Sequence, residues 1–284
     1  MNVAGRAQSV GEVVYLTAPM TGTWHSRLRA RLAGSRSGTA APSGRSPGPS
    51  FAVLQRFEQI EAARLRLVSR GLMAADEQPN PIQSPDPNLR PDPIKTWDVE
   101  LALEAIEASV ARDDAILDMG SIGCAVLPAL SQLGYRRLYG VDLDPRVLQM
   151  PFHDVIDYSI QDMNATNFDD ASFSAITSIS ALEHGLHADA LWHEVARLLR
   201  PGGVFLFSTD YWPEKIDTST TPLFDLPWTI FDADEIVALV HGAADHGLRP
   251  VGGLERTMLA AGEKPIHFLD RDYTFLFGAL TRAA

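Results

Sequence analysis

Residues 115–124, AILDMGSIGC, and residues 137–144, RLYGVDLD, decide how this chain folds. Each opens on a short apolar run that is too brief for a helix and stops at turn-forming residues, so each reads as a strand. Between them Ala125–Leu133 carries helical spacing. The alternation continues downstream: DYSI (157–160), SAITSI (174–179) and VFLFS (204–208) read as strands, with helical stretches at 145–149 and 187–199. A helix over 232–246 and two strands at 248–252 and 273–280 follow. Strands separated by helices imply βαβ crossovers and a sheet covered on both faces. The expected class is α/β, doubly wound, with a mostly parallel seven-stranded sheet.

Upstream the pattern differs. Phe51, Leu54, Phe57, Ile60, Ala63, Leu65 and Val68 recur every three or four residues, which predicts a helix from near Phe51 that Gly71 ends. Six prolines between Pro79 and Pro93 make the next stretch an extended connector. A second helix is expected from about Trp97 to Ala111, with Asp98 near its start. Residues 1–56 hold seven arginines against the single acid Glu12 and sum to +6, leaving −18 for the remainder. Gly34–Ser50 is dense in Gly, Ser, Pro and Ala and cannot bury enough apolar surface to offset its ordering entropy. The plan is therefore a disordered basic arm and linker over 1–50, a helix plus proline-rich connector over 51–94, and a ligand-binding domain over 95–284. The arm is similar in composition to an organelle transit peptide but lacks the apolar region of a secretory signal; contact with an acidic partner is its other reading.

Across all 284 residues, 45% are hydrophobic and the formal charge is −12. No apolar run approaches the ~20 residues needed to cross a bilayer, so no membrane association is expected. One cysteine, Cys124, excludes an internal disulfide or a Cys-rich zinc site and fits a reducing cytoplasm. The acidic body disfavours nucleic acid as a partner. No metal follows from the sequence, and His153, Asp154 and Asp157 read as surface polar residues.

In a doubly wound sheet, ligands bind beyond the carboxyl ends of the strands. After the first strand stands Asp118-Met-Gly120-Ser-Ile-Gly123-Cys, where glycines allow a sharp turn and close approach to a ligand. After the second stands Asp142, 22 residues beyond Gly120, a spacing suited to ribose hydroxyls. The pair points to a nucleoside-containing cofactor. A dinucleotide would want the third glycine of its phosphate turn, which is missing, but these two features alone leave the cofactor open.

Taken with Gln161-Asp162-Met163, FDDASF (168–173) running into SAITSISALEHG, and RLLRPGGVFLFST, the segments resemble the class I S-adenosylmethionine-dependent methyltransferases over about Ala115–Ser208. That resemblance implies a Rossmann-like methyltransferase fold with an N-terminal helical extension, and S-adenosylmethionine as co-substrate. It also implies residue roles. Asp118, Gly120 and Gly123 would form the turn around the methionine portion, and Asp142 with Leu143 would hold the ribose. Asp162 would accept from the adenine amino group with Met163 beside the ring, and Ser180, near Ser178 and Ala181, would line the cleft toward the acceptor. The chain departs from the family at Ile122 and Cys124, where glycines are usual: either the turn shifts so that Gly123 takes over, or the amino-acid end is held less tightly.

His184 is the candidate catalytic base, since its pKa lies near neutrality and it follows the fourth strand; His187, Asp210 and Tyr211 are its rivals. Residues 210–231 hold Tyr211, Trp212, Phe224, Trp228 and Phe231 and read either as a lid over the acceptor or as core packing. The expected activity is methyl transfer to a small molecule, at an oxygen of a saccharide or secondary metabolite. A catalytically silent methyltransferase-like protein acting through its arm, and a nicotinamide oxidoreductase, are the other two readings.

Overall fold

The computed structural model describes residues 50–73, 89 and 91–283, all in one compact body. The basic arm and most of the proline-rich connector lie outside the described residues. Among the described residues nine strands run in chain order: β1 (Phe51–Val53), β2 (Ala115–Met119), β3 (Arg137–Asp142), β4 (Ile156–Ile160), β5 (Phe173–Ile179), β6 (Leu199–Tyr211), β7 (Leu248–Pro250), β8 (Ile266–Phe268) and β9 (Arg271–Arg282). The helices are α1 (Phe57–Ser69), α2 (Thr96–Ser109), α3 (Val126–Gln132), α4 (Ala188–Leu198) and α5 (Ala233–Asp245).

Strand order is β4-β3-β2-β5-β6-β9-β1, with β7 and β8 also paired to β9. β4, β3, β2, β5 and β6 are parallel, and β9 runs against them. The order reverses between β2 and β5, which puts the ligand crevice at their carboxyl ends. All seven expected strands are present. The mostly parallel α/β class holds, with short β1 and β8 added.

Alternation along the strands divides the core. Ile116, Leu138, Ala175 and Leu206 join the apolar faces of α1, α2 and α3. Leu117, Ile176, Phe205 and Phe207 join those of α4 and α5, where Trp192 meets Phe205 edge-on at 5.7 Å. Each of the Ile, Leu and Phe side chains contributes about 1.5–3 kcal/mol by leaving water. α5 starts where Asp232 Oδ1 accepts from the Glu235 N–H (2.8 Å) and Glu235 Oε2 accepts from the Asp232 N–H (2.9 Å), a reciprocal cap that satisfies two backbone donors.

The helix expected from Phe51 begins only at Phe57. Phe51, Leu54 and Phe57 satisfy helical spacing, but Phe51–Val53 instead pairs with Leu276–Gly278 of β9. Close approach is possible there because residue 278 is glycine; a Cβ would run into Phe207 and Phe51. Residues 51–73 are thus part of the body rather than an appendage: Ile60, Ala63 and Leu67 are buried, and Thr96 Oγ1 donates to the Ile60 carbonyl (3.0 Å). Residues 145–149 form a 3-10 turn, opened by Pro145 and the Asp144 side chain, which accepts from the Arg146 N–H.

Candidate cofactor and acceptor site

Asp118 is the last inward-facing polar residue of β2 and is fully buried. Its Oδ1 accepts from Thr177 Oγ1 on β5 (2.5 Å) and its Oδ2 from Ser121 Oγ (2.9 Å), so one carboxylate ties the two central strands to the turn. Burial raises its pKa to about 6, against the opposing pull of those donors. The turn that follows has left-handed backbone at Gly120 (φ +80) and Gly123 (φ +66). A Cβ on Gly120 would sit 2.6 Å from Ala181 Cβ, so the β2 and β5 turns meet through that glycine.

Asp142 closes the arrangement. Its Oδ2 accepts from the Ile122 N–H (3.1 Å) and its Oδ1 from the Asp144 N–H (3.0 Å), which binds the glycine turn to the end of β3. Each oxygen keeps a second lone pair, and the side chain is only half-buried. Leu143 is exposed beside it; Asp162 is exposed at the end of β4, with Met163 half-buried next to it. Asp162 Oδ1 takes both the backbone and side-chain N–H of Asn164, leaving Oδ2 without a donor among the described residues. A half-buried carboxylate with open lone pairs, two apolar side chains and a carboxylate oxygen without a donor among the described residues thus follow one another along the carboxyl ends of β3 and β4. That donor set fits an adenosine. Cys124 is buried with its thiol pKa pushed well up, so it is an inert packing residue.

Past β5, Ser180 is held at φ +52, a strained conformation for a residue with a Cβ, its N–H donating to the Ser208 carbonyl (3.1 Å). Ser178 Oγ donates to the Met119 carbonyl (3.0 Å). His184 is largely buried, and desolvation lowers its pKa, favouring the neutral imidazole. Its ring meets Phe224 edge-on at 5.2 Å, and its Nδ1 is buried with no hydrogen-bond partner among the described residues.

Asp210, at the end of β6, is buried beside it and accepts from Trp228 Nε1 (2.8 Å); burial first, and then the charge of Glu183, push its pKa up to about 7. Glu183 is buried as well, its pKa raised by desolvation, and accepts from Thr209 Oγ1 (3.2 Å). Two members of this cluster were not among the sequence candidates. Lys95 Nζ lies 3.9 Å from Asp210 Oδ1 and 3.3 Å from the centre of the Phe275 ring. Asp98 is buried and accepts from Ser208 Oγ (2.8 Å). No local motif marks either one; they reach the site because α2 packs across β6 and β9.

Tyr211 does not share the cleft. It points into the opposite core layer, where its hydroxyl donates to the Leu259 carbonyl (2.6 Å). His187 sits at the start of α4 without capping it. Of the aromatic residues in 210–231, Tyr211, Trp228 and Phe231 are core; Phe224 is 80% exposed at the tip of a turn closed by Leu223 and Leu226. Open clefts lined by Arg137, Tyr139 and Phe173, and by His153–Asp157, lie at the amino ends of the strands, away from all these groups. Among the described residues no helix is long and apolar enough to cross a membrane.

The fold is the Rossmann-like one of class I S-adenosylmethionine-dependent methyltransferase domains, a class that uses S-adenosylmethionine as co-substrate, and the carboxylate–glycine turn lies where such domains carry theirs. Residues 117–207 match the family model described as a methyltransferase domain. The chain is 26% identical, over 172 residues, to a ubiquinone biosynthesis O-methyltransferase of Xanthomonas campestris pv. campestris (strain B100); the match covers 58% of this chain and 66% of that protein, just under two thirds. Among solved structures it is similar to phosphoethanolamine N-methyltransferase 2 of Haemonchus contortus (TM-score 0.50, 17% identity, 66% of this chain and 53% of that one). The cyclase SpnF gives the same TM-score, 0.50, at 15% identity, with 84% of this chain and 100% of that one covered. At such identities the likeness shows the fold, and one fold hosts several reactions.

Proposed function

We propose that this chain transfers a methyl group from S-adenosylmethionine to a hydroxyl oxygen of a small-molecule acceptor, a saccharide or secondary metabolite, in the cytoplasm. The observation that carries the reading is Asp142, whose carboxylate is fastened by the Ile122 and Asp144 amides yet stays half-open beside Leu143 at the end of β3. The name of the Xanthomonas relative supports oxygen as the methylated atom.

When bound, S-adenosylmethionine supplies a methyl carbon already activated by its sulfonium, so the protein's part is alignment and exclusion of water. Asp118, Gly120 and Gly123 shape the turn around the methionine portion. Asp142 and Leu143 hold the ribose, Asp162 and Met163 the adenine, and Ser180 faces the acceptor. His184, neutral because it is buried, takes the acceptor's proton through an imidazole nitrogen. Calorimetry with S-adenosylmethionine, S-adenosylhomocysteine and NADH tests the reading. Binding of both adenosyl compounds and not of NADH is expected; absence of heat with either adenosyl compound sinks it.

A further inference from the structure

Lys95 and His184 present an unusual pair of loose ends. The Lys95 ammonium is buried, and at 3.9 Å from Asp210 Oδ1 it forms an ion pair without a hydrogen bond; its N–H groups have no acceptor among the described residues. Phe275 fixes it from one side through its ring face at 3.3 Å. His184 Nδ1 is the second orphan, and His184 is near enough to Asp210 to feel its charge. A buried donor or acceptor left unpaired costs about 1–3 kcal/mol, more when it is charged. Two such groups flanking one carboxylate at the crevice mark a place built for an absent polar atom.

The surrounding charge decides what that atom is. Asp98 and Lys95 come from the start of α2 and the turn before it, Glu183 and His184 from the turn after β5, Asp210 from the end of β6, and Tyr273 from β9. Three carboxylates against one ammonium would repel an incoming carboxylate or phosphate. A protonated amine would meet Lys95 head-on. A neutral hydroxyl satisfies both orphans at once, its oxygen accepting from Lys95 and its hydrogen donating to His184.

We infer that Lys95 is an acceptor-binding catalytic residue, which holds the reacting hydroxyl oxygen and stabilises it as an oxyanion while His184, backed by Asp210, receives the proton. The inference rests on the methyl-transfer reading above and deepens it. The step balances: the acceptor O–H bond breaks with its proton passing to His184 Nδ1, and the O–C bond forms as the C–S bond breaks. The C–S electron pair stays on sulfur as a thioether, and the positive charge lost by the sulfonium reappears on the imidazolium, next to Asp210.

The probe is 4-nitrophenol, whose absorption separates phenol from phenolate. It is titrated into the protein at pH 6, with and without S-adenosylhomocysteine. Wild type should bind it with a phenolate band. Lys95→Met should weaken binding about 10- to 100-fold, the loss of one charge-assisted hydrogen bond, and abolish the band. Lys95→Arg should keep the band, and Lys95→Gln, checked for folding by near-ultraviolet circular dichroism, stands in if the methionine variant does not fold. Absence of a phenolate band in wild type, or an unchanged band and affinity without the ammonium, overturns the role of Lys95. Failure of S-adenosylhomocysteine to bind overturns the cofactor reading instead, and the titration without it still decides on Lys95.

Discussion

Asp98 offers a quantitative check on the buried charge cluster. The carboxyl is fully buried, with Ser208 Oγ and the Val99 N–H as donors, and burial outweighs them and the nearby Lys95 to push its pKa from 3.8 up to about 6. Because the folded state binds this proton more tightly than the unfolded one, the folded state carries more protons between those two values, and stability falls as pH rises through the window. Each tenfold change in proton affinity is worth about 1.4 kcal/mol, so ionisation of Asp98 costs about 3 kcal/mol once pH exceeds about 6. Asp98→Asn keeps an oxygen for Ser208 and removes the titration. Urea unfolding of both proteins from pH 4 to pH 8 should therefore show wild type losing about 2–3 kcal/mol relative to Asp98→Asn across that range. Curves that stay parallel within about 0.5 kcal/mol would refute the reasoning.

Other substitutions probe separate parts of the site. Asp142→Ala should weaken S-adenosylhomocysteine binding by about 1–3 kcal/mol in calorimetry, since ribose hydroxyls lose a charged acceptor and the glycine turn its tether; unchanged affinity would put the site elsewhere. Gly120→Ala should cost about 1–3 kcal/mol in urea unfolding, from the left-handed backbone and the contact with Ala181. Ser180→Gly should do the reverse, relieving strain and stabilising by up to about 1 kcal/mol, and a loss of stability would mean φ +52 is not strained. Tyr211→Phe should lower stability by about 1 kcal/mol, through the hydrogen bond to Leu259, and leave cofactor affinity unchanged. A changed affinity would show that Tyr211 reaches the cleft after all.

The parallel strands were legible because they are buried on both faces, so AILDM and SAITSI carry adjacent apolar residues, Ala115 to Leu117 and Ala175 with Ile176, instead of a strict alternation. Asp118, Gly120 and Asp142 were legible for a related reason: the turn after a strand is local, and its chemistry is written in consecutive residues. β1 was not, since three residues are too few to set a period and Phe51, Leu54 and Phe57 suit a helix equally well. The partner that decides the matter lies more than 200 residues away in β9. Lys95, Asp98 and Tyr273 escaped notice for the same cause. Nothing beside them distinguishes an acceptor-binding lysine from a solvated one until α2, β6 and β9 converge. Tyr211 and Asp210 show the limit most sharply: neighbours on one strand, they point into opposite layers, and only the register with β9 tells which faces the crevice.

That same strand has a consequence for biosynthesis. β9 is internal to the sheet, with β6 along one edge, β1 along the other, and β7 and β8 paired near its two ends. During translation each of those four strands is made before its partner exists. Until residues 271–282 emerge, β6 offers an open edge along Val204–Tyr211, and β1 has nothing to pair with at all. Such an unfinished sheet is a template for pairing with other nascent chains, so a stall or premature stop shortly before residue 271 leaves an aggregation-prone chain rather than a slightly shortened protein.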